Sequence, residues 1–333
     1  MKRKYWWLFG ILLLSLCLLV SACARSDENE DGERVTYYTV TYDSNGGSQI
    51  ESRQVSAGGV LPDPGEPTRE GYIFAGWTLD GVGVMVGVTQ VKENMTVRAS
   101  WISAESLFEY QRIGETDTAV ITVLKSEMEE IKIPTSIGNY QVVAVGDRLF
   151  YGRSDETIQS IYIPETVTTI GEEAFGELTG VQIVFSEKCR ITSLGERAFF
   201  GCTGLTEIPL GEGLSEIPYE SFSGSGLTSV RLPKSVTKIE ENAFDGCLSL
   251  VTVMLHETVT SVENAAFFDC DALKTIFFYG TEERVESLLS DQTQSMNQPF
   301  TEARVYLYAE KEPSQTGTYE YWYLDENNKT KIW

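Results

Sequence analysis

The chain has 333 residues, with 49 acidic against 26 basic side chains and a formal charge of -23. Such a field repels phosphate backbones and no basic run offsets it, which argues against nucleic acid as a partner. Hydrophobic content of 42%, with 11% aromatic residues, excludes global disorder. The single histidine, His256, leaves any Ser-His or Cys-His device dependent on one residue, so no catalytic residues, metal site or cofactor are assigned.

In chain order, Lys2, Arg3 and Lys4 precede an apolar run from Tyr5 to Val20, which predicts an export signal over residues 1–22. The run ends in Val20-Ser21-Ala22-Cys23, which resembles the lipobox of bacterial lipoproteins. That resemblance implies cleavage before Cys23 and a diacylglycerol on its sulfur. Acyl chains contribute about 0.8 kcal/mol per buried CH2, so such an anchor needs no spanning helix. Residues 23–36 are polar and acidic and are predicted to form a flexible tether.

A small β module is expected over residues 37–102. Tyr38, Val40 and Tyr42 alternate with Thr39 and Thr41 before the turn residues Asp43-Ser44-Asn45-Gly46-Gly47. Leu61-Pro62-Asp63-Pro64-Gly65-Glu66-Pro67 must be a loop, because proline fixes φ and lacks a donor. Gly71–Trp77 and Met95–Trp101 are two further strands, and Trp77 and Trp101 are expected to pack in the core. The order of the glycine turn, Gly71-Tyr72-Ile73-Phe74-Ala75-Gly76-Trp77 and the closing Trp101 resembles the Listeria-Bacteroides repeat, also called the internalin B-repeat, a β-grasp-like module. The resemblance implies a cell-surface spacer or binding module. Gly81-Val82-Gly83-Val84-Met85-Val86-Gly87-Val88 departs from its usual charged and aromatic stretch.

Phenylalanine then recurs at Phe150, Phe175, Phe199, Phe222, Phe244 and Phe267, at intervals of 25, 24, 23, 22 and 23. Each from Phe175 onward follows an apolar residue five positions earlier: Ile170, Leu194, Ile217, Ile239 and Val262. Short apolar strands recur at Ile161–Ile163, Val184–Phe185, Ile208–Leu210, Val230–Leu232, Val253–Leu255 and Ile276–Phe278. A period in this range predicts stacked coils that bury one continuous core behind a parallel β-face, a solenoid over residues 105–280. The unit holding Val181–Ser186 is irregular, and the one from Ile131 to Phe150 diverges as a capping repeat does. Strings such as Ile163-Pro164-Glu165-Thr166-Val167-Thr168-Thr169-Ile170-Gly171-Glu172-Glu173-Ala174-Phe175 resemble the BspA type of leucine-rich repeat, known also from Treponema. The predicted fold class is therefore mainly β, a β-grasp-like module followed by a leucine-rich-repeat solenoid.

Cys202, Cys247 and Cys270 each lie three residues after their phenylalanine, where Ser225 stands in the Phe222 coil. Side chains on neighbouring rungs point in parallel, which favours free buried thiols over a Cys247–Cys270 disulfide. The outward positions of the strands read Tyr162, Val184, Pro209, Arg231, Met254 and Phe277, a stripe more apolar than solvation requires. Two readings stand: a protein-binding surface centred on Tyr162, Pro209, Arg231, Met254 and Phe277, or a strip covered by the C-terminal segment. His256 follows a strand and is expected in a surface loop.

Residues 281–333 are predicted to cap the stack with a helix from Thr281 to Leu289, a strand at Arg304–Tyr308 and an aromatic hairpin. Tyr321, Trp322 and Trp333 on that hairpin are either cap residues or a glycan-stacking platform. The expected protein is a lipid-anchored, outward-facing bacterial protein, not an enzyme, that binds other proteins, with a glycan as the alternative partner.

Overall fold

The computed structural model describes residues 25–28, 34–126, 128–153, 157–290, 296–311, 318–325 and 329–332. The signal segment and Cys23 lie outside them. The chain divides into two compact units, one built from residues up to Pro67 with Ala75–Ser100, the other from Thr68–Phe74 with Trp101–Trp333.

In the first unit Arg34–Asp43 is central. It runs parallel to Met95–Ser103, with Val40 opposite Met95, and antiparallel to Arg53–Ser56. Val40, Leu61, Trp77, Val91 and Val97 are buried, and Trp77 meets Tyr42 edge-on at 5.1 Å. The Tyr42 hydroxyl donates to the Pro62 carbonyl (2.7 Å), which ties the proline loop to the sheet. The divergent Val82–Val84 forms a strand paired with Tyr72–Leu79. One expectation needs correcting: within the proposed tether, Arg25–Glu28 is a strand paired antiparallel to Arg34–Tyr37. Edge pairing needs only backbone groups, so a polar segment with nothing to bury still adds to an open sheet edge.

The second unit is a solenoid. Its first coils are set by a hairpin of Phe108–Arg112 with Thr118–Leu124, the latter parallel to Tyr140–Val145. Each later coil is identified here by its phenylalanine. The rings of Phe150, Phe175, Phe199, Phe222, Phe244 and Phe267 form one fully buried column, with centroids 5.1–5.8 Å apart and planes within 17°. Phe300, outside the periodic series, adds a seventh ring at 4.9 Å from Phe267. Each stacked pair contributes about 0.5–1.5 kcal/mol beyond burial.

The backbone follows the rings. Phe150, Phe175, Phe199, Phe222 and Phe244 donate their N–H groups to the carbonyls of Ala174, Ala198, Ser221, Ala243 and Ala266 in the next coil. Phe267 has no further coil, and its N–H instead donates to Oδ1 of the buried Asn297 (2.9 Å), whose Nδ2 donates to the Glu263 carbonyl (2.7 Å). One side-chain amide thus takes the place of a missing coil.

Two positions recur at positive φ in every coil. Two positions before each phenylalanine stand Arg148, Glu173, Arg197, Glu220, Asn242 and Ala265, with φ of 47–57°. The first four form an alternating ion chain, Arg148 to Glu173 to Arg197 to Glu220, with contacts of 2.9–3.2 Å. Two positions after the ring, Gly152, Gly201, Gly224 and Gly246 take the same region, but Glu177 and Asp269 take it without the freedom of glycine.

Among the described residues, Cys189, Cys202, Cys247 and Cys270 are free and buried. The thiols of Cys202, Cys247 and Cys270 donate to the carbonyls of Phe175, Phe222 and Phe244 in the preceding coil, at 2.9, 3.1 and 3.0 Å. Ser225 fits the same series because the position calls for a small buried donor, and its hydroxyl lies 3.4 Å from the Cys247 sulfur.

Two parallel ladders flank the column, one through the two-residue strands such as Thr169–Ile170 and one through Ser160–Ile163 and its equivalents. Both are interrupted at the Phe222 coil. The expected strand Ile208–Leu210 does not form; a single bridge joins Leu210 to Ile191. Pro209 lacks the N–H that a ladder needs, so this is where the irregularity falls. By contrast Gln182–Phe185, expected to be irregular, pairs residue for residue with Ser160–Ile163.

Candidate binding face

The outer face of the longer strands follows from alternation. Ile161 and Ile163 are fully buried, so Tyr162 between them points outward, and Val184 stands opposite it on the next strand. These two side chains are 38% and 45% exposed and form an open apolar pair. Beyond the Pro209 break, Arg231, Met254, Phe277 and Tyr306 line up in register.

This second segment is closed. Met254, Tyr306 and the fully buried Trp322 form a cluster separate from the main core, with Phe277, Tyr279, Tyr308 and Leu324 against it. The Trp322 ring lies 5.1 Å from Phe277, 4.7 Å from Tyr279 and 5.1 Å from Tyr308. The strand Glu320–Leu324 joins the same sheet, parallel to Arg304–Tyr308, and turns back as a hairpin with Thr330–Ile332.

The predicted residues therefore separate. Tyr162 and Arg231 are exposed, Pro209 is half-buried on an irregular segment, and Met254 and Phe277 are held under the C-terminal aromatics. For the last two the covered-strip reading holds, because large rings supplied by the added strands exclude water from them. The glycan platform fails at Trp322, which has no exposed ring face, while Tyr321 packs against the main core and Trp333 lies outside the described residues. His256 is not in a loop. It ends the strand Thr252–His256, stacked 4.3 Å from Tyr279 at 7°, and burial first, then the Arg231 charge, holds its imidazole below the ordinary range. Among the described residues no group of His, Cys, Asp and Glu gathers as metal ligands would.

The C-terminal elements match the sequence reading closely. The helix is Glu282–Ser290, with the Thr281 hydroxyl accepting from the Arg284 N–H (3.3 Å). Asn297 and Phe300, which complete the ladder and the ring column, carry no periodic signal, since they replace a coil instead of repeating one.

A column of stacked rings inside parallel coils of 22 to 25 residues defines a leucine-rich-repeat solenoid protein, here with a small β module before it. Residues 181–295 match the BspA type leucine rich repeat region in 6 copies, and residues 38–100 match the Listeria-Bacteroides repeat domain. Both segments are thus similar to the repeats that their motifs resemble. Neither description names a catalytic family.

A protein of Evansella cellulosilytica, provisionally named a Gly-rich membrane protein, is 28% identical over 90 residues, 26% of this chain and 10% of its own length. A second from that organism, also provisionally named a membrane protein, is 31% identical over 70 residues. The chain spans about a tenth of the length of these curated relatives. The leucine-rich repeat protein of T. pallidum has a TM-score of 0.39 and 20% identity, covering 61% of this chain and 79% of that one. A leucine-rich cell surface protein from Faecalibacterium prausnitzii has a TM-score of 0.33 and 17% identity, covering 62% and 94%.

Proposed function

We propose that this is a bacterial surface lipoprotein, anchored through Cys23, that displays its leucine-rich-repeat face to a protein partner for adhesion. The observation that carries the reading is the open pair of Tyr162 and Val184, in register on adjacent strands. Exposed aromatic and aliphatic residues at such a position contribute most of their binding energy when a partner removes them from water. The basic start, apolar run and Cys23 of the first 23 residues support export and lipidation.

Two measurements test the reading. Bacteria fed an alkyne-tagged fatty acid should label the wild-type chain and not Cys23→Ser; equal labelling removes the anchor. A photo-crosslinking residue at position 162 or 184 should trap a protein partner, competed by unlabelled chain, where one at the exposed Leu248 does not. Equal yields at all three positions would overturn the face.

A further inference from the structure

The gap left by Pro209 is occupied by a feature of opposite sign to the rest of the molecule. Where the ladder breaks, a cavity of about 590 Å³ opens on the solenoid, and Arg190, Arg231, Lys234 and His256 all line it, with Glu212 as its acidic member. In a chain of charge -23, three permanent cations and the single histidine converge on one recess. Their numbers are 66 apart at the extremes, so only the coiling brings them together.

None of the three cations has a salt-bridge partner among the described residues, although Glu212 shares the recess and Arg190 Nη1 donates to the Glu187 and Cys189 carbonyls (2.9 and 2.5 Å). Among the described residues, the ion pairs of the solenoid involve Arg112, Arg148, Arg197, Lys238 and Arg304 and none of these three. Glu212 is already engaged: its two oxygens accept the backbone N–H groups of Lys234 and Ser235, each at 3.0 Å. The site is also held in shape. Arg231 Nη2 donates to the Tyr279 hydroxyl (3.1 Å), and the Tyr279 ring stacks on His256. Gly211 lets the chain pass the Arg190 side chain, whose Cβ would lie 2.9 Å from a Cβ added there.

We propose that this pocket binds a carboxylate of the protein partner, an Asp or Glu side chain or a chain terminus, placed between Arg190, Arg231 and Lys234. The proposal rests on the protein-binding reading above and supplies the chemistry its partner must carry. Guanidinium forks match a carboxylate with paired hydrogen bonds. The remaining wall is mostly aliphatic, from Leu210, Leu232 and Pro233, and one face of the His256 ring is taken up by Tyr279.

His256 makes the test clean, because a chain labelled in histidine gives one imidazole signal. The full chain in detergent is titrated with a blocked hexaglutamate peptide, and its hexaglutamine counterpart, inorganic phosphate and sialyllactose are run as separate arms. Hexaglutamate should move the His256 signal saturably and raise the imidazole pKa, since a nearby anion favours the imidazolium. Hexaglutamine should do neither. Arg231→Gln with Lys234→Gln, both exposed positions, should weaken the effect at least about tenfold with an unchanged melting temperature. No saturable shift at millimolar peptide, or tighter binding of phosphate or sialyllactose, overturns the assignment. Retained crosslinking at Tyr162 and Val184 with a silent His256 refutes the pocket alone; a responsive His256 without crosslinking refutes the display face alone.

Discussion

Asn297→Ala is the sharpest perturbation of the stack. The side chain is fully buried, accepts from Phe267 N–H at 2.9 Å and donates to the Glu263 carbonyl at 2.7 Å. Truncation leaves a buried N–H without a partner, costing about 1–3 kcal/mol, and removes a second bond of about 1 kcal/mol, so the terminal coil should lose roughly 2–4 kcal/mol. In a solenoid each coil is coupled only to its neighbours, so the loss should be local. Native-state hydrogen exchange reads this out at the Phe244 amide, whose own bond to Ala266 is untouched, with the Phe175 amide as internal reference. Exchange at Phe244 should accelerate roughly 30- to 1,000-fold while Phe175 barely changes. Equal acceleration at both amides, or none at Phe244, would refute the idea that one amide substitutes for a coil.

The buried thiols make a pH prediction. Burial pushes Cys189 up to about 11 and Cys202 up to about 12 from an ordinary 9.0, so as pH rises the unfolded chain releases these protons first. Their stabilising contribution is intact below pH 9 and falls as pH climbs through the folded values, by roughly 2 kcal/mol per thiol at pH 10.5. Urea midpoints at pH 8 and 10.5 should therefore diverge less for Cys202→Ala than for the wild type, and an identical divergence contradicts the assignment. Asp269→Gly should stabilise: Asp269 has φ of 53° where four other coils use glycine, and its charge helps hold the half-buried Asp245 carboxyl above the usual range, after burial itself. Relief of the strain is worth about 0.5–1 kcal/mol, so calorimetry should show a melting temperature higher by roughly 1–4 °C; a lower one rules the strain out.

What the sequence disclosed tracks what repeats. Phe150 through Phe267 and their partners Ile170 to Val262 announced the column and the parallel coils, because burial imposes the same residue at the same phase in every turn. Cys202, Cys247, Cys270 and Ser225 were legible as equivalent, although the role of the three thiols as donors to a carbonyl became visible only with the coils in place. Pro209 carried a readable warning against a strand. Phe300 and Asn297 were silent, since a cap satisfies the last coil once and leaves no period. The face was half legible: alternation pointed Met254 and Phe277 outward, but only tertiary structure reveals that Trp322 lies against Phe277 and closes this segment. The basic pocket was invisible because Arg190, the Arg231 and Lys234 pair, and His256 come from three different turns of the coil.

The Phe222 coil shows how the solenoid tolerates such a pocket. Both ladders stop there, and the Phe199–Phe222 spacing of 5.8 Å is the widest in the column, yet the rings stay within 4° of parallel and Phe199 still donates to Ser221 at 2.9 Å. Core continuity and sheet continuity are therefore separable. Stacked rings and the hydrogen bonds of Arg197, Phe199 and Gly201 to the Tyr219, Ser221 and Ser223 carbonyls carry the architecture through a turn whose outer strand is missing, and that missing strand leaves room for Arg190 and Lys234 at the surface. On one side of the interruption Tyr162 and Val184 remain open; on the other, Trp322 and its neighbours cover Met254 and Phe277, while Arg231, hydrogen-bonded to Tyr279, stays exposed. A partner that engages the open apolar pair and reaches across the break with a carboxylate would contact the two parts of the face that the chain does not cover itself.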